Sequence, residues 1–288
     1  MYSGFSELVK SKGTKAAAEF ASSAGASSVE LLEMIDKDEL HLTYSTPEEA
    51  REALAVLKAH GLSVACFSVG VNLVDIVSEK PKIILRSIER LKLCARIAAA
   101  LECPFLHHTL VHALAPSIGA PSYDEVCELA ISAARDVADY CLGLGITCLY
   151  EEQGMYFNGT FGFGYFFSRM KSVCSNVGVC GDVGNSFFVD ETPKAIFAAH
   201  AADIKHVHVK DYFVKKELSE GEVCRHPSRG GAFILRAPIG EGDINIAECF
   251  KILGEVGYSG AFAIEDSDLP ALPDSIRAVR RLISDNFI

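Results

Sequence analysis

Residues 204–211 read I-K-H-V-H-V-K-D, and the rest of the chain is best interpreted outward from this stretch. Because side chains alternate along a strand, His206, His208 and Lys210 share one face and the two valines share the other. One interpretation is a half-exposed antiparallel strand whose polar face meets water. The other is a barrel strand that delivers a metal ligand to a site at its C-terminal end. The remaining sequence decides between them.

The composition describes a large and acidic chain. It has 288 residues, of which 49% are hydrophobic, enough to bury a core as one α/β barrel or as two domains. The net charge is −11, from 27 Lys and Arg against 38 Asp and Glu, and the excess is spread along the chain. Phosphate binding needs a basic face, so we expect no nucleic-acid partner. No apolar run approaches the roughly 20 residues of a membrane span, so we expect no membrane partner.

The cysteine pattern bears on the cellular compartment. Ten cysteines occur without a C-x-x-C pair among them. Residues 1–10 lack the basic and then apolar order of a signal peptide. We therefore expect reduced cysteines, mostly buried as small hydrophobic side chains, in a cytoplasmic protein.

Short apolar segments alternate with helical patterns along the chain. Thr46 and Pro47 are typical of a helix start, and Ser122 with Glu125 forms a capping-box pattern at another. Helices are predicted at 7–24, 46–61, 82–100, 122–142, 192–201, 244–254 and 275–286. Strands are predicted at 2–6, 28–34, 62–69, 104–109, 145–151, 177–182, 204–211 and 261–265.

This alternation predicts the fold class. Strands that alternate with helices form a parallel sheet. Eight units in 288 residues favour a closed (β/α)8 TIM barrel over an open doubly wound sheet. No G-x-G-x-x-G follows the first strand and no G-x-x-x-x-G-K-[ST] occurs, so the open-sheet nucleotide folds lose support. No linker or low-complexity segment divides the chain. We therefore expect an α/β protein with a single (β/α)8 barrel domain over residues 1–288.

Four successive predicted strands finish with a side chain that can bind a metal ion. These side chains are Glu151, Asp182, His208 and Glu265. Barrel enzymes carry their catalytic residues at this end of the strands, where the βα loops build the active face. The alternative, loop acids that cap helix N-termini, would not keep step with the strands in this way. Strand alternation also requires that Glu152 point away from the face of Glu151.

Five segments resemble those of the xylose-isomerase-like sugar (phosphate) isomerase/epimerase superfamily, which includes D-tagatose 3-epimerase, hydroxypyruvate isomerase and inosose dehydratase. The segments are L-Y-E-E-Q-G, V-G-V-C-G-D-V-G-N, H-V-H-V-K-D, P-I-G-E-G-D and G-Y-S-G-A-F-A-I-E. The resemblance spans all eight units, and the segments are specific in combination rather than singly. It implies one divalent metal ion held by Glu151, Asp182, His208 and Glu265.

The implied ligands indicate the chemistry. Three carboxylates and one imidazole suit Mn²⁺ first, with Mg²⁺, Co²⁺ or Zn²⁺ as alternatives, rather than a closed structural zinc. Such an ion polarises the carbonyl of a hydroxy-ketone and stabilises the enediolate. By resemblance, Glu151 and Glu265 exchange the substrate proton as acid and base. The resemblance therefore implies an isomerase or epimerase acting on a small sugar, sugar acid or keto-polyol.

Two positions depart from the epimerases of the family. Asn185 stands where they usually place a substrate-contacting histidine, three residues after the aspartate ligand. Phe157 stands where a second substrate-contacting glutamate would fall. The metal site thus carries over and the ketose specificity does not, while Asn185 remains a candidate for substrate binding.

Three further side chains are candidates for substrate binding. Lys210 could bind a phosphate or substrate oxygen, or could pair with a ligand carboxylate. Arg236 matches the place of a substrate-binding arginine in relatives, with a loop ion pair as the alternative. His107 and His108 end the fourth predicted strand, and one of them should face the barrel mouth; His108 is the candidate.

Other features allow a structural explanation beside a functional one. His206 is expected to be a hydrogen-bonded core histidine. Asp211 is a candidate to orient a neighbouring ligand, and Glu30 could line the mouth or meet solvent. Segment 158–167 mixes glycines with aromatic residues, which predicts a lid or a subunit contact, or else a buried aromatic cluster. Segment 211–240 is long enough to be a lid or a binding loop.

Three other functions compete with isomerisation. A lyase would use the same enediolate to expel a β-hydroxyl, as inosose dehydratase does within the superfamily. A nuclease on this fold would need a histidine-rich multi-zinc cluster and a basic face, which nine histidines and an acidic charge do not supply. A non-catalytic sugar-binding barrel would bind a carbohydrate without exchanging its proton. The expected partner is thus a small carbohydrate, and homo-oligomerisation is left open.

Overall fold

A computed structural model describes residues 3–36, 39–111, 120–224, 226–265 and 270–287. Helices and strands alternate along them. The strands are β1 (Ser28–Asp36), β2 (Glu39–His41), β3 (Ser63–Gly70), β4 (Val74–Asp75), β5 (Lys82–Ile83), β6 (Phe105–His108), β7 (Thr147–Tyr150), β8 (Val177–Asp182), β9 (Ile204–Val209), β10 (Asp211–Lys215), β11 (Phe233–Ala237) and β12 (Ala261–Ile264). The α-helices are α1 (Ser3–Lys12), α2 (Thr14–Ser23), α3 (Pro47–Ala59), α4 (Leu85–Ala100), α5 (Tyr123–Leu142), α6 (Gly159–Val173), α7 (Pro193–His200), α8 (Ile246–Glu255) and α9 (Leu272–Asn286). Two 3₁₀ helices cover Asn185–Val189 and Ala201–Asp203.

The main sheet has the order β12-β9-β8-β7-β6-β3-β1-β2. Its neighbouring strands are parallel except for β1 and β2, which form an antiparallel hairpin. The sheet curls until β12 comes into contact with β1. Helices follow most of the parallel strands, as right-handed βαβ connections require. The predicted α/β TIM-barrel fold is confirmed.

Seven of the eight predicted strands lie in this sheet at the predicted places, and the first one is wrong. Residues 3–6 belong to helix α1, while Tyr2 lies outside the described residues. The hydroxyl of Ser6 accepts a hydrogen bond from the backbone N–H of Leu32 at 3.0 Å, so α1 covers the edge of β1. The predicted helix over 7–24 is interrupted at Gly13, whose φ of +82° is unfavourable for other residues.

The segment rich in glycine and aromatic residues, for which the sequence allowed a lid, a subunit contact or a buried aromatic cluster, is mostly a helix. Helix α6 begins after Asn158, whose side-chain oxygen accepts a hydrogen bond from Gly159 N at 2.7 Å. Phe163, Phe166 and Phe167 are fully buried beneath it. The buried aromatic cluster, which was the structural alternative, is what the helix forms.

The long segment 211–240 contains an antiparallel hairpin of β10 and β11. Asp211 anchors the chain that follows it. Its carboxylate accepts hydrogen bonds from four backbone N–H groups at 2.9–3.3 Å, those of Tyr212, Gly240, Gly242 and Ile244. Asp211 therefore holds the P-I-G-E-G-D turn against β10, which explains why an acid follows the lysine of H-V-H-V-K-D.

The cysteines are reduced and mostly buried, as expected from the sequence. All ten cysteines are free thiols, and all are buried except the half-buried Cys224. Across the described ranges, no helix combines the length and the apolar character that a membrane crossing requires.

A buried carboxylate on the outer face of β1 gives a stability prediction. Glu33 accepts a hydrogen bond from Thr43 N at 2.8 Å, and Lys10 Nζ lies 3.7 Å away. Burial raises the pKa of Glu33 from 4.5 to about 7. The folded state therefore holds this proton more tightly than the unfolded chain, so the stability it contributes is full below pH 4.5 and is lost as the pH rises to about 7.

Glu33→Gln is expected to remove this pH dependence. At about 1.36 kcal/mol per pH unit, the wild-type loss is about 3 kcal/mol, and the glutamine still accepts the hydrogen bond of Thr43 without becoming charged. Urea unfolding at about pH 5 and about pH 8 measures the effect. An equal decline in both proteins would contradict the assignment to Glu33.

Candidate metal centre at the barrel mouth

The barrel interior is arranged in layers along its axis. The lowest layer is apolar and contains Cys66, Leu149 and Cys180. Beside this cluster lie polar side chains that are also buried: Glu30, Ser68, His107 and His206. At the C-terminal ends of the strands lie the five side chains that face one another at the mouth, namely Glu151, Asp182, His208, Lys210 and Glu265. The alternation of inward residues along each strand builds these layers.

The four predicted ligands lie together. Donor atoms of Asp182, His208 and Glu265 all lie within 4.8 Å of one another. His208 Nδ1 lies 2.5 Å from Glu151 Oε1 and 3.7 Å from Asp182 Oδ2. Glu151 belongs to a second group of possible donors, with Cys180 and His208, so the two groups share the His208 ring.

Asp182 is oriented by the start of the 3₁₀ helix that follows its strand. Its Oδ1 accepts hydrogen bonds from the backbone N–H groups of Gly184 at 2.7 Å and Asn185 at 2.8 Å. Its Oδ2 receives no directed hydrogen bond from the described residues and points into the mouth. Burial by itself would raise the pKa of Asp182, but Lys210 and His208 outweigh it and hold the pKa below its usual value. The inward oxygen is thus ionised, and the Lys210 ammonium lies 2.7 Å from it.

Lys210 supplies the positive charge of the cluster. Its ammonium lies 2.7 Å from Asp182 Oδ2, contacts Glu265 Oε2, and lies 3.3 Å from Asn185 Oδ1. Burial would lower the pKa of Lys210, but Asp182 and Glu265 outweigh it and raise the pKa well above its usual value. The sequence allowed Lys210 either to bind a substrate oxygen or to pair with a ligand carboxylate, and in the structure it pairs with carboxylates.

Glu151 differs from Asp182 in its protonation. Burial raises its pKa to about 7; Asp182 adds to the rise, and His208 opposes it. A carboxyl group that titrates near neutral pH can accept and return a proton under ordinary conditions. Glu152 points the other way, as predicted, and one of its oxygens accepts a hydrogen bond from Asp182 N at 3.3 Å.

The remaining predicted residues occupy different places. Asn185 is buried beside Lys210, and its Nδ2 has no hydrogen-bond partner among the described residues. Arg236 is exposed and donates a hydrogen bond to the backbone oxygen of Glu265 at 3.1 Å, so it lies at the rim rather than in the cluster. Phe157 is buried against Phe166, with ring centroids 5.0 Å apart.

His107 rather than His108 faces the barrel interior. The His107 ring lies 5.5 Å from that of His208, and its Nε2 is 3.9 Å from Glu151 Oε2. The His108 ring stacks edge-on against Tyr150, which in turn contacts Phe166 of α6. Strand alternation puts these two histidines on opposite faces, and the choice of His108 as the inward one is wrong.

Two buried residues of the polar layer support the site: Glu30, for which the sequence left open whether it lines the mouth or meets solvent, and Ser68, which was not a candidate. Glu30 bonds both His206 and His208, at 2.9 and 3.1 Å, and it also contacts the hydroxyl of Ser68. Burial would raise the pKa of Glu30, but His208 and His206 outweigh it and hold the pKa well below its usual value. His206 is the hydrogen-bonded core histidine that was expected. In the sequence, Glu30 and Ser68 stand out as single polar residues inside apolar strands, in S-V-E-L-L and A-C-F-S-V.

Comparison with known proteins identifies the family of barrels to which the chain is similar. The family described as xylose isomerase-like TIM barrel matches residues 18–283. An inosose dehydratase from Clostridium botulinum (strain Eklund 17B / Type B) is 33% identical over 98 residues, which are 33% of this chain and 32% of that protein. The chain therefore matches about a third of the length of that relative.

Solved structures show the same architecture over nearly the whole chain. L-ribulose 3-epimerase superposes with a TM-score of 0.70 at 16% identity, covering 95% of this chain and 90% of that one. A xylose isomerase-like TIM barrel protein from Mycobacterium smegmatis, solved in complex with magnesium, superposes with a TM-score of 0.69 at 14% identity, covering 95% and 89%. At these identities the likeness concerns the fold.

Proposed function

This chain belongs to the xylose isomerase-like TIM barrel family, and we propose that it is a divalent-metal-dependent isomerase or epimerase of a small sugar, sugar acid or keto-polyol. The observation that carries the proposal is that Asp182 and Glu265 form one group of possible metal donors with His208, and Glu151 another, at the ends of four adjacent strands. Enzyme activity of this general kind fits a family whose structural neighbours include a sugar epimerase.

We propose that the four converging side chains hold the ion. Carboxylate and imidazole donors suit Mn²⁺, with Mg²⁺, Co²⁺ or Zn²⁺ as alternatives. When bound, the ion supplies Lewis-acid polarisation of a substrate carbonyl and stabilises the charge that develops on its oxygen. The carboxylate of Asp182 and the imidazole of His208 would be among the groups that hold it.

The protein side chains then move the proton. Glu151 and Glu265 lie at the mouth on either side of the Lys210 and Asp182 pair, and we propose that one removes the proton next to the carbonyl and the other returns it. The pKa of about 7 suits Glu151 for both directions of transfer. Lys210 and the amide nitrogen of Asn185 are placed to donate hydrogen bonds to substrate oxygens at the same edge.

A dehydratase is the second candidate, and two observations favour it. The curated relatives that match part of this chain are inosose dehydratases. Asn185 and Phe157 also occupy the two positions where epimerases of the family carry substrate-contacting His and Glu side chains. Both reactions begin with removal of a proton next to a carbonyl, and a dehydratase then expels a β-hydroxyl as water.

Product analysis separates the two candidates. The Mn²⁺-loaded protein would be incubated with ketoses and with keto-inositols, and the products examined by mass spectrometry and chromatography. A new compound of unchanged mass supports the isomerase or epimerase, and a product lighter by one water supports the dehydratase. Unchanged substrates throughout would contradict both and favour a sugar-binding protein.

A further inference from the structure

We propose that Glu30 is a positioning residue, which turns Nδ1 of His208 toward the metal position by accepting a hydrogen bond from Nε2 and thereby tightens metal binding. The inference deepens the proposed function and rests on it. Glu30 lies in β1, remote in sequence from the four proposed ligands.

The two nitrogens of the His208 ring face different groups. Nε2 lies 3.1 Å from Glu30 Oε1. Nδ1 lies 2.5 Å from Glu151 Oε1 and 3.7 Å from Asp182 Oδ2. Glu30 is thus on the inner side of the ring, below the mouth, and the proposed ligands are on the outer side. A histidine ligand binds through one nitrogen while the other donates its proton to a neighbouring acceptor, which fixes the tautomer and the ring orientation.

Glu30 is itself held in place. Its Oε2 lies 2.9 Å from His206 Nε2, and its Oε1 is contacted by the hydroxyl of Ser68. Ser68 Oγ is in turn 3.1 Å from His107 Nδ1. The carboxylate therefore has three hydrogen-bond donors around it, from Ser68, His206 and His208. It is also only 1% exposed, so water does not reach it. A carboxylate in this position has one orientation, and the same is then true of the ring that it bonds.

The sheet itself is irregular at the two strands that meet here. The register of β1 and β3 shifts between Val29 and Glu30. The register of β8 and β9 shifts next to Cys180, the residue paired with His206. An extra residue in a strand changes the direction of the neighbouring side chains, and such bulges are frequent beside active sites. Both shifts therefore adjoin a member of the Glu30–His206 pair.

The chemistry of the hydrogen bonds defines the variant that tests the role. A carboxylate can accept from Ser68, His206 and His208 at once, because it has two acceptor oxygens and no proton. The glutamine of Glu30→Gln has one acceptor oxygen and an NH₂ group that needs acceptors. If that NH₂ faces His208, it favours the tautomer with the proton on Nδ1, which blocks the lone pair that the ion needs.

The experiment measures Mn²⁺ affinity rather than activity. Free Mn²⁺ would be quantified by electron paramagnetic resonance during titration of the wild type, Glu30→Gln and Glu33→Gln, each checked for a cooperative thermal transition. Glu33→Gln is the matched control, because it neutralises a buried carboxylate on the opposite face of the same strand. We expect Glu30→Gln to bind Mn²⁺ about 10–100-fold more weakly, and the control to bind like the wild type.

Each outcome decides one question. Wild-type affinity in a folded Glu30→Gln protein would overturn the positioning role and leave the proposed function standing. A wild type that binds no divalent ion would overturn the proposed function, and the inference with it. A second Mn²⁺ per wild-type chain that disappears in Glu30→Gln would overturn the positioning role, since Glu30 would then be a ligand. If Glu30→Gln does not fold, Ser68→Ala is the second variant, because it removes a hydrogen bond to Glu30 without changing His208. Ser68→Ala is expected to weaken Mn²⁺ binding several-fold. Unchanged Mn²⁺ affinity in Ser68→Ala would overturn the inference.

Discussion

Replacing Glu265 with glutamine is expected to slow the exchange of a substrate proton with solvent by about 10²–10⁴-fold, and Glu151→Gln is expected to have an effect of the same size. Glutamine keeps the shape of the side chain and one oxygen that can still serve as a weak ligand, but it cannot take up a proton. The loss should therefore appear in the rate at saturating substrate, and should persist when the metal site is full.

The measurement needs a metal determination on the same samples, because either substitution can also weaken metal binding. Glu33→Gln is again the matched control, since it neutralises a buried carboxylate outside the mouth. Deuterium incorporation at the wild-type rate in a fully loaded Glu265→Gln protein would rule out the two-glutamate proton transfer. His107 and Lys210, which contact the same cluster, would then be the bases to test.

The purified wild type is expected to bind about one divalent ion per chain, and His208→Ala and Asp182→Ala are both expected to lose it. Each substitution removes one donor from a group of four, and the three that remain hold the ion less tightly. The affinity should fall by more than the roughly 10–100-fold typical of a supporting residue.

Elemental analysis after equilibrium dialysis measures the metal content. His41→Ala is a suitable control, because His41 is exposed on β2 and its ring contacts the side chain of Glu39 rather than the proposed ligands. Full occupancy in both His208→Ala and Asp182→Ala would show that the ion, if one binds, is held elsewhere.

The strands that carry the site could be predicted because their patterns are strong. Strand β9 alternates valine with polar residues, and Asp182 follows glycine and cysteine, residues that leave space above them in the barrel. Residues 3–6 were misassigned because a segment this short shows no period that separates a helix from a strand. Its helical state comes from packing on β1, where Ser6 bonds Leu32.

Helix α6 could have been predicted from the spacing of its side chains. Phe163, Phe166, Phe167 and Met170 recur at helical intervals and are all buried, and Asn158 provides the N-cap. The glycines among them do not prevent the helix, because each glycine weakens a helix by only about 1 kcal/mol relative to alanine. A buried stripe of four large side chains outweighs that cost.

The sequence predicted the proposed ligands but left open whether Glu30 lines the mouth or meets solvent, and the reason is geometric. Ligands at the C-terminal strand ends follow from the barrel itself. The contact between Glu30 and His208 joins strands 178 residues apart and depends on two register shifts, which leave no mark in either strand alone. The choice between His107 and His108 failed similarly, because the alternation shows that they face opposite ways without showing which one faces inward.

The central claim is that this barrel removes a proton next to a carbonyl with the help of a bound divalent ion, and solvent deuterium tests it most directly. Protein stripped with a chelator and the same protein reloaded with Mn²⁺ would be incubated in D₂O with an accepted hydroxy-ketone, and the substrate carbons examined by NMR. Deuterium entering next to the carbonyl only in the reloaded sample is the predicted result. Equal incorporation in both samples, or none in either with every hydroxy-ketone tried, would contradict the claim.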